Sequence, residues 1–216
     1  MIRALLLTVM LSAGWFAQLV AQDFFEGTIS FEVKMEGAKS DLLKQNEPNT
    51  KLTMHFKGGD YIVLLAGGRY PKTFLYRSEE NIQYSVDLAN RMAFKFSSHN
   101  DMNAQKERVA VKPTGKQQEV AGVLCDEYYM KKGESEFYFY ASPDYTVDTS
   151  LYPEKPQTKA TFLIKGLEGR IPLKTVKKEA GLTVTTLAKK VGRAEFDPAQ
   201  FMIPPDFEIK KRDYRF

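Results

Sequence analysis

Imidazole and thiol groups are scarce in this 216-residue chain, which carries two histidines, His55 and His99, and one cysteine, Cys125. A single cysteine allows no internal disulfide, so an apolar core has to hold the fold, and a chain of this length is ample for one core in one domain. Two histidines and one cysteine so far apart in sequence do not have the spacing of a zinc site. Catalysis needs groups of tuned proton affinity brought together, and histidine is their commonest supplier. His55 falls on the polar face of an alternating segment, level with Lys51 and Lys57, and reads as a solvated surface imidazole. His99 sits in Ser97-Ser98-His99-Asn100-Asp101. Serine, histidine and aspartate adjacent in one loop are poor triad geometry, because a working triad is assembled in space from separate segments. The expectation is a protein with no catalytic residues.

Other absences narrow the field further. No glycine-rich phosphate loop is present, since Gly58-Gly59 and Gly67-Gly68 lie at strand ends and belong to hairpin turns. Cys125 has no CxxC partner and no evident basic neighbour, so it packs as a small apolar group, with an intermolecular or reactive thiol as the alternative. Asp126-Glu127 and Glu79-Glu80 offer oxygen ligands on paper. Neighbours on a strand point to opposite faces and a turn pair is normally solvated, so no metal site is expected. The formal charge is +4. Basic clusters at Lys174, Lys177 and Lys178, at Lys189, Lys190 and Arg193, and at Lys210, Lys211 and Arg212 read as solvated faces and lysine-protected sheet edges. The alternative partners for them are anionic lipid headgroups or polysaccharide, and no nucleic acid is expected.

What is present begins with a leader. Met1, Ile2 and Arg3 precede a run from Ala4 to Val20 that is apolar except at Thr8, Ser12, Gly14 and Gln18, and Ala21 stands before polar Gln22. That is the order of a signal peptide cleaved after Ala21. An uncleaved membrane anchor and a buried amphipathic first helix are the alternatives; a stable span needs about 20 uninterrupted apolar residues. Cleavage removes Arg3, takes the charge from +4 to +3, and leaves residues 22–216 as one soluble domain outside the cytoplasm, periplasmic or secreted. No cysteine follows the apolar run, so no lipid-modified cysteine tethers it.

Beyond the leader the dominant rhythm has period two, which sends alternate side chains to opposite faces of a sheet. Ile29, Phe31, Val33 and Met35 alternate with Thr28, Ser30, Glu32, Lys34 and Glu36; Leu52, Met54 and Phe56 alternate with Lys51, Thr53, His55 and Lys57. Tyr61 to Ala66 is apolar on both faces. The pattern continues through Phe74 to Arg77, Ile82 to Leu88, and Met92, Phe94 and Phe96, an antiparallel meander. Asp101 to Arg108 lacks the period and suits a short helix. Val109 and Val111 resume the strand pattern up to Pro113, with a turn at Thr114-Gly115. Val120 to Lys131 reads as one strand bent at Gly122, followed by Glu134 to Ala141. Residues 142–160 read as a loop with a helical turn near Lys159 to Ile164. Leu173 to Glu179 and Leu182 to Lys190 form a hairpin through Ala180-Gly181, and Phe196 to Phe207 is a proline-rich closing segment.

Three segments together resemble a family. Glu119-Val120-Ala121-Gly122-Val123-Leu124-Cys125-Asp126-Glu127-Tyr128, Gly169-Arg170-Ile171-Pro172-Leu173 and Phe201-Met202-Ile203-Pro204-Pro205-Asp206-Phe207, with the opening Phe25-Glu26-Gly27-Thr28-Ile29, are similar to an exported Gram-negative domain-of-unknown-function family. That family resembles the periplasmic lipoprotein-carrier superfamily of the LolA/LolB type. The resemblance implies a mainly β fold: a strongly curved antiparallel sheet or incomplete barrel of about eleven strands, with a few short helices or loops over the concave side. It also implies a cavity for acyl chains, and it transfers no individual functional residue. The alternating residues Phe31, Val33, Met54, Phe56, Met92, Phe94, Phe137 and Phe139 are the candidates to line that concave face for a lipid, an acyl chain or a lipidated protein. The same residues also suit a plain core. The alternative function is an envelope structural or interaction module that binds a protein partner by its surface or a sheet edge, with no cofactor in either case.

Overall fold

The computed structural model of the protein describes residues 23–41, 45, 48–96, 110–153 and 159–212. The leader, the Ser97–Asp101 loop with His99, the helix expected over Asp101 to Arg108 and Val109 lie outside the described residues. The sheet is built from β1 (Gly27–Gly37), β2 (Lys51–Lys57), β3 (Asp60–Ala66), β4 (Lys72–Arg77), β5 (Ile82–Asp87), β6 (Met92–Phe96), β7 (Lys112–Val120), β8 (Val123–Lys132), β9 (Ser135–Thr146), β10 (Arg170–Glu179), β11 (Leu182–Arg193) and β12 (Glu208–Arg212). One α-helix, α1 (Lys159–Gly166), and 3-10 turns at Thr149–Leu151 and Pro198–Phe201 complete the described elements.

All twelve strands join one curved, unclosed sheet in the order β12-β6-β5-β4-β3-β2-β1-β11-β10-β9-β8-β7. Two antiparallel runs, β1 to β6 and β7 to β11, meet where β1 pairs with β11 from Gly27↔Arg193 to Gly37↔Leu182. At the start of that seam a Cβ on Gly27 would run into the carbonyl oxygen of Gly192, so only glycine lets the two backbones close.

Cross-strand partners share a face, so the register sorts the side chains. On the inner face, Ile29, Phe31, Phe56, Tyr61 and Tyr76 are buried against Val147, Tyr152 and Ile164 from the segment between β9 and β10. Further along that face Leu167, Phe162 and Leu163 of α1 and its end cover Met130, Phe139 and Ala141. The outer face of β3 to β6 is also apolar, with Leu75, Tyr84 and Ala93 buried beneath Phe196, Phe201 and Ile203 of the closing segment. Arg77 fixes this strap by donating from Nη1 to the Phe201 carbonyl at 3.1 Å.

Several expectations change. Val120 to Lys131 is a hairpin and not one bent strand, because Ala121 and Gly122 both take positive φ, 52° and 79°, and make the tight turn between β7 and β8. Thr114-Gly115 does not turn the chain; it lies within β7 at the register shift between Pro113 and Gln117, where an edge strand tolerates proline and a bulge. Strand β9 continues through Pro143 to Thr146, where the sequence suggests a loop from residue 142. Arg170 to Leu173 already belongs to β10, with irregular register around Pro172. Strand β12 has no signal in the alternation: Glu208–Arg212 offers one apolar residue, Ile209, and it pairs with β6 in parallel. By contrast, the helical turn expected near Lys159 is present as α1.

The strap gives a direct test. Phe201 is 2% exposed, whereas its neighbour Met202 is 55% exposed. Phe201→Ala is expected to cost about 3 kcal/mol of unfolding free energy, and Met202→Ala less than about 0.5 kcal/mol, measured as shifts in urea midpoint.

Candidate functional site: the inner face of the sheet

The eight residues proposed from alternation fall on the same face of the sheet. One row runs Ile29–Met54–Val63–Phe74–Ser85–Phe94 across β1 to β6. Another runs Val33–Thr186–Thr175–Phe139–Tyr128 across β1, β11, β10, β9 and β8. Phe31 and Phe56 lie in the flanking rows opposite Leu52 and Tyr61, Met92 shares its face with Phe94, and Phe137 shares its face with Phe139.

Sharing a face does not make them equivalent. Phe31, Phe56 and Phe139 are buried in the protein's own core. Phe137 is half-buried, stacks on Phe139 at 6.2 Å between centroids and has the Lys177 ammonium over its ring. Val33, Met54, Met92 and Phe94 are half-buried as well. The eight candidates leave out Leu52, although it alternates with Met54 and Phe56, and also Val63, Leu65 and Phe74, all half-buried neighbours of Val33 and Met54 on the same face. Because β3 is apolar on both faces, alternation could not assign its sides. The two-residue turn at Gly58-Gly59 could have done so, since pairing Lys57 with Asp60 brings Val63 opposite Met54.

The band ends where β1 outlasts β2. The last ladder pair is Glu32↔Lys51, after which Val33 donates its N–H to the Thr50 carbonyl at 2.8 Å and β1 runs on beside β11 alone. A groove of about 500 Å³ opens there, lined by Val33, Lys34, Met35, Glu36, Pro48 and Thr50. A larger cleft of about 810 Å³ lies at the opposite end of the strands, between Asp23, Glu26, Gly58, Asp148, Leu151 and Arg193, and takes in none of the eight residues. Both are within the volume range of ligand sites.

The other chemical candidates are committed to structural contacts. His55 is half-buried and not freely solvated: its Nδ1 lies 2.8 Å from the Thr28 hydroxyl, and Phe196 of the strap packs edge-on at 5.3 Å. Burial lowers its proton affinity below the ordinary value. Cys125 is buried, bonded to the Val123 carbonyl, and burial helped by Asp126 and Asp144 pushes its thiol up to about 11. Asp126 accepts from Gln117 and Arg170, and the hydrogen bond from Gln117 followed by that from Arg170 lowers its proton affinity. Glu127 points elsewhere, to Tyr140 at 2.7 Å and Thr114 at 2.9 Å. Glu80 accepts from Tyr84, and Glu79 lies near Arg77. Among the described residues no group of three or more His, Cys, Asp or Glu side chains could hold a metal, and no helix is long and apolar enough to cross a membrane.

No protein-family model and no curated protein matches the chain. Among solved structures it is similar to PNGF-II, with a TM-score of 0.53, 14% identity, and coverage of 87% of this chain and 32% of that one. It is also similar to an uncharacterized conserved protein from Thermus thermophilus (TM-score 0.48, 10% identity, 87% and 91% covered) and to LprF from Mycobacterium bovis (0.34, 9%, 85% and 90%). At such identities the PNGF-II likeness is one of fold, and this chain spans about a third of the length of that structure; the two lower scores carry no further reading.

Two measurements follow. Cys125 is expected to resist alkylation at pH 8 in the native protein and to react fully in denaturant, as read by mass spectrometry. Because the folded state disfavours protonated His55, the unfolded state binds the extra proton as pH falls below about 6.5. Unfolding free energy is therefore expected to drop through that range, and His55→Gln should flatten this part of the pH curve measured with urea.

Proposed function

We propose that the protein is a non-catalytic binding protein of the cell envelope that holds an apolar chain, from a lipid or a lipidated protein, against the inner face of its sheet. The observation that carries the reading is the contiguous band of half-buried Val33, Leu52, Met54, Val63, Leu65 and Phe74 beside the 500 Å³ groove. These side chains offer a ligand area to cover and no hydrogen bonds to specify it, and burying apolar surface is favourable by roughly 25 cal/mol per Å². A featureless hydrocarbon suits such a lining. The envelope location is supported by the order of residues 1–21, and the carrier resemblance adds the same expectation of an acyl ligand. A second reading, an interaction module that adds a partner strand, is favoured by β7, whose residues from Lys112 to Glu119 are all exposed at one end of the sheet.

Mass spectrometry of organic extracts from the purified full-length protein separates the two. Stoichiometric lipid supports the first reading. No lipid, together with no uptake of 11-dansylundecanoic acid, sinks it in favour of the second. Met54→Arg places a charge in the band and is expected to weaken binding of that fatty-acid probe about tenfold, with the urea midpoint reported alongside as a check on folding.

A further inference from the structure

The outer face of β7 to β10 combines lysines with a cluster of tyrosines. Tyr129, Tyr138 and Tyr140 stand there side by side, with Tyr129 and Tyr138 opposite one another and their rings 5.2 Å apart. The Lys174 ammonium lies 4.5 Å from the centre of the Tyr140 ring and that of Lys178 lies 5.2 Å from Tyr138. Two carboxylates share this face, and tyrosine hydroxyls occupy both. Glu127, 8% exposed, accepts from Tyr140 and Thr114; Glu136 accepts from Tyr129 at 3.3 Å and Tyr138 at 3.4 Å.

Several cations elsewhere are held in ion pairs: Lys57 with Glu26, Arg170 with Asp126, Lys189 with Glu32 and Arg193 with Asp23. On this face, among the described residues, Lys116, Lys131, Lys174 and Lys178 make no ion pair within 4 Å. Lys174 does donate to the Gln118 side chain at 2.8 Å, and both Lys116 and Lys174 act electrostatically on Glu127. The result is a face on which four ammonium groups outnumber the two hydrogen-bonded carboxylates and are interleaved with aromatic rings. Lys174 and Lys178 project from one strand about 13 Å apart, four residues at the strand rise.

We infer that this face is a docking surface for a linear anionic polysaccharide. The charges select a polyanion, and the pleated sheet spaces them along a line, as a chain that repeats its carboxylates requires. The tyrosine hydroxyls are tied to Glu127 and Glu136, and the rings stand beside the lysines, so a sugar ring with its carboxylate on a lysine has an aromatic surface next to it to pack against. Among the described residues the one exposed large apolar side chain on these strands, Leu124, alternates to the face opposite Glu127, which disfavours insertion of this face into a lipid surface. The inference concerns the face opposite the apolar band and does not rest on the lipid reading.

The test is affinity electrophoresis of the full protein in gels containing alginate, a polyuronate, with neutral dextran as control, at about 10 mM ionic strength where charges act over roughly 30 Å. Retardation by alginate and not by dextran is expected. The double variant Lys174→Gln/Lys178→Gln should weaken it about fivefold or more, and Tyr138→Ala about threefold at unchanged net charge. The charge-matched pair Lys210→Gln/Lys211→Gln on the distant β12 should change it by less than about twofold. Absence of retardation overturns the inference, as does equal weakening by the two lysine pairs, which marks non-specific attraction. Co-sedimentation with phosphatidylglycerol vesicles, sensitive to Lys174 and Lys178 without alginate retention, overturns it in favour of a membrane surface. Urea midpoints verify that each variant folds.

Discussion

The structure depends on the pairing of β1 with β11. These strands occupy the middle of the sheet order, and each antiparallel run ends at them, so their ladder makes two local meanders into one surface. The pairing joins residues more than 140 positions apart, and it is irregular at Ser30/Phe31, where the register shifts. A bulge at that point adds local twist. The small residues at its start carry the tightest approach: Gly27 sits against Gly192 and the adjoining Arg193 backbone. Supporting bonds gather at the same end, where Phe25 donates to the Thr146 carbonyl and Ala194 to that of Glu26.

Once the sheet is one piece, its two faces pose different problems. Strands β3 to β6 carry large apolar residues on both, which a strand exposed on one side does not do. The chain answers with two covers. The segment between β9 and β10 lays Val147, Tyr152 and α1 on the inner face, and the closing segment lays Phe196, Phe201 and Ile203 on the outer. Among the described residues the inner cover leaves Val33, Leu52, Met54, Val63, Leu65 and Phe74 half-buried at the edge of the core. Across β7 to β10 the outer face carries polar and aromatic side chains, with the Glu127 and Glu136 carboxylates bonded to tyrosine and threonine hydroxyls of the sheet itself.

Much of this is legible in the residues. The alternation in Lys51–Lys57 and Met92–Phe96 marks those strands with their bounds, and Ala180-Gly181 marks the late hairpin. The failures have physical causes. Ala121 reads as the interior of a strand because alanine rarely takes positive φ, yet paired with Gly122 it forms a two-residue turn. Pro143 reads as a strand terminus, but irregular pairing between β9 and β10 leaves its missing N–H unneeded. His55 looks solvated because its strand neighbours are lysines; a residue 141 positions later, Phe196, covers it.

Residue order alone sets the period, and hence which side chains share a strand face: Phe31 with Val33, Met54 with Phe56, Phe137 with Phe139. That much is local, since side-chain direction alternates with every peptide unit along an extended chain. Which of those residues fill the core and which stay half-open is settled only when the chain folds, because exposure depends on what is laid over them. Val147, Tyr152 and Phe201 reach their positions through long-range strand pairing, a free-energy balance among distant segments that no local pattern encodes.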